Sequence, residues 1–215
     1  MAAYSKGNET KKRFILVTYR MLCEKDASEL TVREIARESG CSAAALYKHF
    51  DGLEYLITVA SVRFLDEYML GYAELLDSDE DFLEIYIRGW ELFNHYAFER
   101  PDIYYRLFWG KDNCIFSIAF QDYFELFPIR GSEKYTAYYY TLLFNDNMQE
   151  RDALVLRRLE NMGRMSGEDA LYFSYTNPLI VKGVLEESIE YDASGRKKLE
   201  TLCNQLLRKN MEKIP

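Results

Sequence analysis

Apolar positions recur three and four residues apart along most of the chain, the period of a helix with one buried face. No stretch alternates with the period of two that marks a half-buried strand, so the pattern predicts an all-α protein. The first helix is expected over about residues 9–23, with Ile15, Tyr19 and Leu22 on one face and Lys11, Lys12 and Arg13 in its early turns. A second begins at Thr31. There Thr31 and Glu34 have capping-box spacing, in which hydroxyl and carboxylate each satisfy a backbone N–H that the first turn leaves free. Gly40 ends it, because glycine accepts the left-handed conformation of a sharp stop. Ser42 suits the cap of a third helix reaching about Lys48.

Further on, a fourth helix is expected from near Asp51 through Leu76, and a fifth from Ser78 to Phe98 with Ser78-x-x-Asp81 as its start. Pro101 opens a short sixth, where its missing N–H costs nothing. Residues 127–132 (FPIRGS) read as a turn, and helices follow near 133–162, 167–190 and 194–211. Asn177-Pro178 interrupts the second of these, either kinking one helix or dividing two.

Residues 31–50 thus hold two short helices around a tight glycine turn, with Ile35 and Ala36 facing inward from one and Leu46 and Phe50 from the other. Packed on the first helix they make either a helix-turn-helix, whose second helix enters the major groove, or an ordinary helical hairpin. The segment LTVREIARESGCSAAALYKHFDGLEYLI resembles the N-terminal domain of the TetR family of bacterial transcriptional regulators. Thr31, Ala36, Gly40, Leu46, Tyr47, His49 and Phe50 all stand where that pattern has them, over about 50 residues.

The resemblance implies that Tyr47 and His49 contact the DNA backbone and sets Arg33 where phosphate or base is often met, a solvated Arg being the alternative; Thr31, Ser42, Ala43, Ala44 and Lys48 complete the expected DNA-contacting set. Within it Tyr47 and His49 are short, stiff donors suited to phosphate, while Lys48 falls at a variable position. Two features depart from the family habit. Leu53 stands where a phosphate-binding Lys often opens the fourth helix, and Ala43, Ala44 and Ala45 follow one another in the recognition helix. Alanines cannot hydrogen-bond guanine or adenine, but their methyls can pack on thymine methyls. A T-rich half-site is therefore expected, with DNA shape adding discrimination; Ala45 is a candidate for the core instead.

Charge agrees with this division. The net charge is −8, yet residues 1–64 carry 10 basic against 8 acidic side chains and the remainder 17 against 27. A mildly basic head on an acidic body is compatible with DNA, since phosphates respond to the local field. Cys23, Cys41, Cys114 and Cys203 lie far apart, without the spacing of a zinc site or a disulfide framework. The first residues lack a signal-like apolar stretch and no apolar run would span a membrane, so a reducing cytoplasm is the expected location.

The domains expected are a helix-turn-helix DNA-binding domain over 1–52 and a helical ligand-binding and dimerisation domain over 53–215. The body holds 26 of the 33 aromatic residues, enough for a bulky core and also for a small-molecule chamber. Trp90, His95, Tyr96, Tyr105, Trp109, Tyr139 and Tyr175 are the candidate lining. The ligand expected is aromatic or lipophilic, and a cation is conceivable because ring faces attract cations. Leu179, Leu185, Leu199, Leu202 and Leu206 mark apolar faces on the last two helices, which the resemblance assigns to a homodimer bundle. An all-α enzyme or a helical protein-interaction module is the alternative. Against the enzyme, the chain has two histidines, no phosphate-cradling glycine loop and no metal-ligand or nucleophile-elbow spacing. No catalytic residue and no cofactor are expected, and the partners are operator DNA, a small molecule and a second copy.

Overall fold

A computed structural model describes residues 2–110, 115–145 and 147–212; Cys114 lies outside them. The described residues contain twelve α-helices and no strand, the all-α architecture that the periodicity predicts. The chain groups into two compact units: Met1–Leu65 with Ile115–Ile129, and Asp66–Cys114 with Arg130–Pro215.

The first unit contains α1 (Ala2–Glu24), α2 (Val32–Glu38), α3 (Ala43–His49), α4 (Leu53–Val62) and, from later in the sequence, α8 (Phe116–Leu126). Ile15 and Leu22 of α1, Ile35 and Ala36 of α2, and Leu46 with Phe50 from the recognition segment are all buried. Phe14 meets Phe50 edge-on, their rings 6.2 Å apart. α4 is buried at every position from Leu56 to Val62, because α1 covers one side and α8 another. Tyr55 of α4 donates to Asp122 of α8 at 2.8 Å. The compact grouping therefore runs past residue 52 and draws in a helix that the linear reading omits. The buried positions of α8 (116, 119, 120, 123 and 126) have helical spacing, obscured in the sequence by aromatics on its other faces.

The single fourth helix expected over 51–76 is two helices. α4 gives way to a 3-10 turn at Arg63–Leu65 before α5 (Asp66–Asp77). At the turn Phe64 packs on Tyr19 at 4.7 Å and Arg63 lies over the same ring, contacts that draw these side chains back onto α1.

The second unit is built around α6 (Phe82–Glu99), which packs on α5, α7 (Pro101–Trp109), α10 (Met148–Asn161), α11 (Gly167–Ser188) and α12 (Ala193–Met211). Asp81, not Ser78, caps α6: its carboxylate accepts from the Leu83 N–H at 3.0 Å, while the Ser78 hydroxyl donates back to Leu75 at the end of α5. The helix expected over 133–162 is divided into α9 (Thr136–Leu143) and α10. Two asparagines offer the backbone an alternative to the helix: Asn145 accepts from the Asn147 N–H, and Asn147 accepts from the N–H groups of Gln149 and Glu150. α11 passes through Pro178 without a break, so the proline does not divide two helices.

Candidate nucleic-acid interface and helical-body cavity

Local capping shapes the recognition hairpin. Thr31 accepts from the Glu34 N–H at 3.3 Å, as the spacing predicts. The other half of the expected capping box is not made. The Glu34 carboxylate instead takes the Thr31 hydroxyl at 3.1 Å and pairs with Lys25 at 3.6 Å. These two partners, the hydroxyl first, hold Glu34 below its ordinary pKa. Gly40 has a φ of 61°, and the N–H groups of Gly40 and Cys41 return to the Arg37 and Ala36 carbonyls. That closes α2 and aims α3 away from it. Ser42 then accepts from the Ala45 N–H at 3.2 Å.

The result is a recognition helix with two distinct faces. Leu46 points inward, Ala43 and Ala45 are partly covered, and Ala44, Tyr47 and Lys48 face solvent, with Tyr47 61% exposed. Arg33, Thr31 and Ser42 are exposed as well. His49 is half-buried beside Gly7 of α1. Burial first, then the charges of Lys11 and Lys48, lowers its pKa, leaving near neutral pH an uncharged imidazole with one N–H to donate.

In the second unit a cavity of about 50 Å³ lies between α5, α6, α9 and α10. Tyr68, Tyr72, Tyr86, Trp90 and Phe93 form aromatic walls, Leu142, Met148 and Val155 the aliphatic ones, and Arg151 and Asp152 bring charge. Asp152 is buried and accepts from the Tyr86 hydroxyl at 2.8 Å and from the Trp90 indole at 2.9 Å. Burial outweighs these donors and pushes its carboxyl up to about 7. The polar chain continues outward: Asn177 donates to the Tyr86 hydroxyl at 2.7 Å, and Asn210 donates to the Asn177 carbonyl at 2.7 Å. The cavity wall is thus tied by side chains to α11 and α12.

Of the seven aromatic and histidine candidates for a chamber, Trp90 alone lines this cavity. Tyr139 is buried behind the wall, stacked on Tyr72 and donating to the Met69 carbonyl. Trp109 packs on Phe93 from outside. Exposed His95 lies between Glu99 and Glu200 with Tyr96 against its ring, and Tyr105 faces Glu186. Tyr175 is on the outer face of α11. Arg151 and Asp152 were the residues to find. Met148, Arg151, Asp152, Val155, Leu156 and Leu159 share one helical face, so two charges stand at core positions of an amphipathic pattern.

The last two helices carry an exposed apolar surface. Leu171, Tyr175 and Leu179 recur at four-residue spacing on α11, and Leu202 and Leu206 do so on α12, each between 40% and 62% exposed. Leu199 is half-buried, whereas Leu185 is fully enclosed within its own chain and takes no part in that surface. Among the described residues no helix is long and apolar enough to cross a membrane. No group of His, Cys, Asp or Glu among them could hold a metal ion.

These features define an all-α protein with an N-terminal helix-turn-helix and a separate helical unit enclosing a cavity. Residues 15–57 match the family of bacterial regulatory proteins named for tetR, which identifies the N-terminal segment as a module of that family's kind. The fold agrees over nearly the full length with the crystal structure of a protein assigned as a TetR-family transcriptional regulator from Rhodococcus sp. The TM-score is 0.55 at 15% sequence identity, covering 93% of this chain and 98% of that one. No curated protein matches the chain.

Proposed function

We propose that this DNA-binding regulator is a repressor, which reads a paired operator as a homodimer and is released when a small molecule occupies the second-unit cavity. The observation that carries DNA reading is the outward face of α3, where Ala44, Tyr47 and Lys48 stand exposed on a helix stopped and capped at both ends. Tyr47 and His49 donate to phosphates and set register, with Thr31 and Ser42 beside them. Ala43 and Ala44 meet thymine methyls, and Arg33 or Lys48 adds a polar or phosphate contact. The DNA-binding function resides in residues 1–52 and the ligand and dimer functions in 53–215. A two-fold operator calls for a two-fold protein, and the apolar surface on α11 and α12 suits a second copy of itself. Release requires the ligand to bind one of two dimer states more tightly than the other.

Selection of bound sequences from random duplex DNA tests the reading. The expected product is a T-rich, paired site bound with steep salt dependence. Recovery of no sequence above the unselected pool would end it.

A further inference from the structure

The cavity in the second unit contains a guanidinium that the protein holds without a close carboxylate partner. Arg151 is 7% exposed and lines the cavity. Among the described residues it forms no ion pair. Its neighbours are the Phe108 ring, 5.2 Å from the guanidinium carbon, the Tyr68 hydroxyl, whose ionised form the guanidinium favours against burial, and, beyond ion-pair distance, the Asp152 carboxyl, whose ionised form it also favours. A buried charge is costly unless paired and hydrogen-bonded, and a ring face, one phenol and a carboxyl beyond ion-pair distance fall short of five N–H donors.

Asp152 is the opposite case. Each of its oxygens already accepts a hydrogen bond, from Trp90 and from Tyr86. What this cavity offers a ligand is therefore the guanidinium's N–H donors, since both Asp152 oxygens are already engaged. The fork of a guanidinium matches a planar carboxylate in two parallel hydrogen bonds. Elsewhere on the wall Leu142, Met148, Val155 and Phe93 offer apolar contact and Tyr72 a ring with a hydroxyl, and about 50 Å³ confines an occupant to a small body.

We infer that the cavity binds a compact organic monocarboxylate, its carboxylate seated on Arg151 and its short apolar tail against the aliphatic and aromatic walls. This rests on the reading of the cavity as the ligand site and narrows the ligand to one charge class. An inorganic anion would leave the apolar wall without contact, and a cationic ligand would face Arg151.

Three molecules of nearly equal shape separate the possibilities: butyrate, butyramide and butylammonium. Each is titrated into the full-length protein by calorimetry at constant ionic strength, balanced with sodium chloride. Butyrate should bind saturably in the millimolar range or tighter, butyramide at least tenfold more weakly, and butylammonium not measurably. Arg151→Gln should weaken butyrate at least tenfold and Arg151→Lys by less, since an ammonium keeps the charge but not the fork. If the glutamine variant fails to fold, the wild-type series still decides. Preference for butylammonium or butyramide would overturn the carboxylate assignment while leaving the cavity as a ligand site. Failure of all three to bind would overturn both. Operator release by butyrate, measured separately, bears on the repressor reading alone.

Discussion

The head and the body of this protein handle polar groups in opposite ways. In the recognition hairpin the capping side chains are engaged within three residues of their own positions, as Thr31 is with Glu34 and Ser42 with Ala45, and Arg33, Tyr47 and Lys48 are exposed. In the body the decisive polar groups are buried, and their partners come from far along the chain: Asp152 with Tyr86 and Trp90, Asn177 with Tyr86 and Asn210. Caps built from local contacts fix the turn geometry of the hairpin from its own sequence. A site built from long-range contacts responds to any shift between helices, which suits the proposed change of state on ligand binding. The two regions therefore differ in how they can be broken.

The largest effect is expected at the apolar surface of α11 and α12. Leu202→Glu with Leu206→Glu places two charges where the proposed dimer packs, and breaking a wholly apolar contact in this way should leave a monomer or an aggregate that no longer binds the operator. Light scattering checks this directly: a monodisperse monomer in the unmutated protein would remove the dimer from the proposal. Leu185→Ala should behave differently, costing fold stability by about 2–5 kcal/mol as a buried leucine, because that side chain is enclosed by its own chain.

Next comes Asp152. Its folded carboxyl, raised from 3.8 to about 7, keeps a proton that the unfolded chain has already released. Stability should therefore fall as pH rises from about 4 to about 7 and then level off, by up to about 4 kcal/mol at 1.36 kcal/mol per pKa unit. Asp152→Asn removes the titration and should flatten this part of the profile, being less stable than the parent near pH 5 and closing the gap by pH 8. Urea midpoints of both proteins across this range provide the measurement. Equal slopes would mean that Asp152 is ionised throughout.

The same contrast explains how much was legible beforehand. Thr31, Gly40 and Ser42 declare the hairpin because caps and left-handed turns are local chemistry, readable from a few neighbouring residues. The half of the capping box that failed did so for a local reason too: Lys25 and the Thr31 hydroxyl compete for the Glu34 carboxylate. In the body, counting aromatics found Trp90 but could not tell a wall from the core behind it, as with Tyr139, or from an outer face, as with Tyr175. Arg151 and Asp152 look like surface charges in QERDALVLRRLE until their register with Met148, Val155 and Leu159 is followed. The breaks at 63–65 and 144–147 depend on tertiary packing and on asparagine side chains returning to the backbone, which helical periodicity does not record.

Smaller effects belong to the head. Tyr47→Phe and His49→Ala each remove one proposed phosphate contact, so both should weaken binding to every duplex by similar factors. A net hydrogen bond is worth about 1 kcal/mol, roughly a fivefold loss. His49 adds a pH signature. Its pKa in the free protein is lowered by burial and by Lys11 and Lys48, whereas a phosphate alongside would favour the charged ring. Binding should then take up a proton, and affinity should rise as pH falls toward 6, an increment that His49→Ala abolishes. Fluorescence anisotropy with specific and random duplexes checks both points. A loss confined to one sequence would move Tyr47 from phosphate to base reading.

The smallest expected effect is also the most selective, and it concerns the alanines. Ala44 is exposed and Ala43 partly so, on a helix whose other outward side chains are Tyr47 and Lys48. If methyl-to-methyl contact with thymine supplies specificity, replacing a contacted thymine by uracil removes one methyl and leaves every hydrogen-bonding group in place. Burying a methyl is worth about 0.8 kcal/mol, close to a fourfold loss of affinity at each contacted position and none elsewhere. Ala44→Gln should act in another way, blocking close approach to the native site while creating a preference for adenine, whose N6 and N7 a glutamine amide can engage together. Operators carrying uracil one position at a time, measured at fixed salt, give the map. A profile that is flat at every thymine would show that the methyls are not read. Discrimination would then rest with Arg33, Lys48 or the deformability of the duplex, and Ala44→Gln would lose affinity without acquiring a new preferred base.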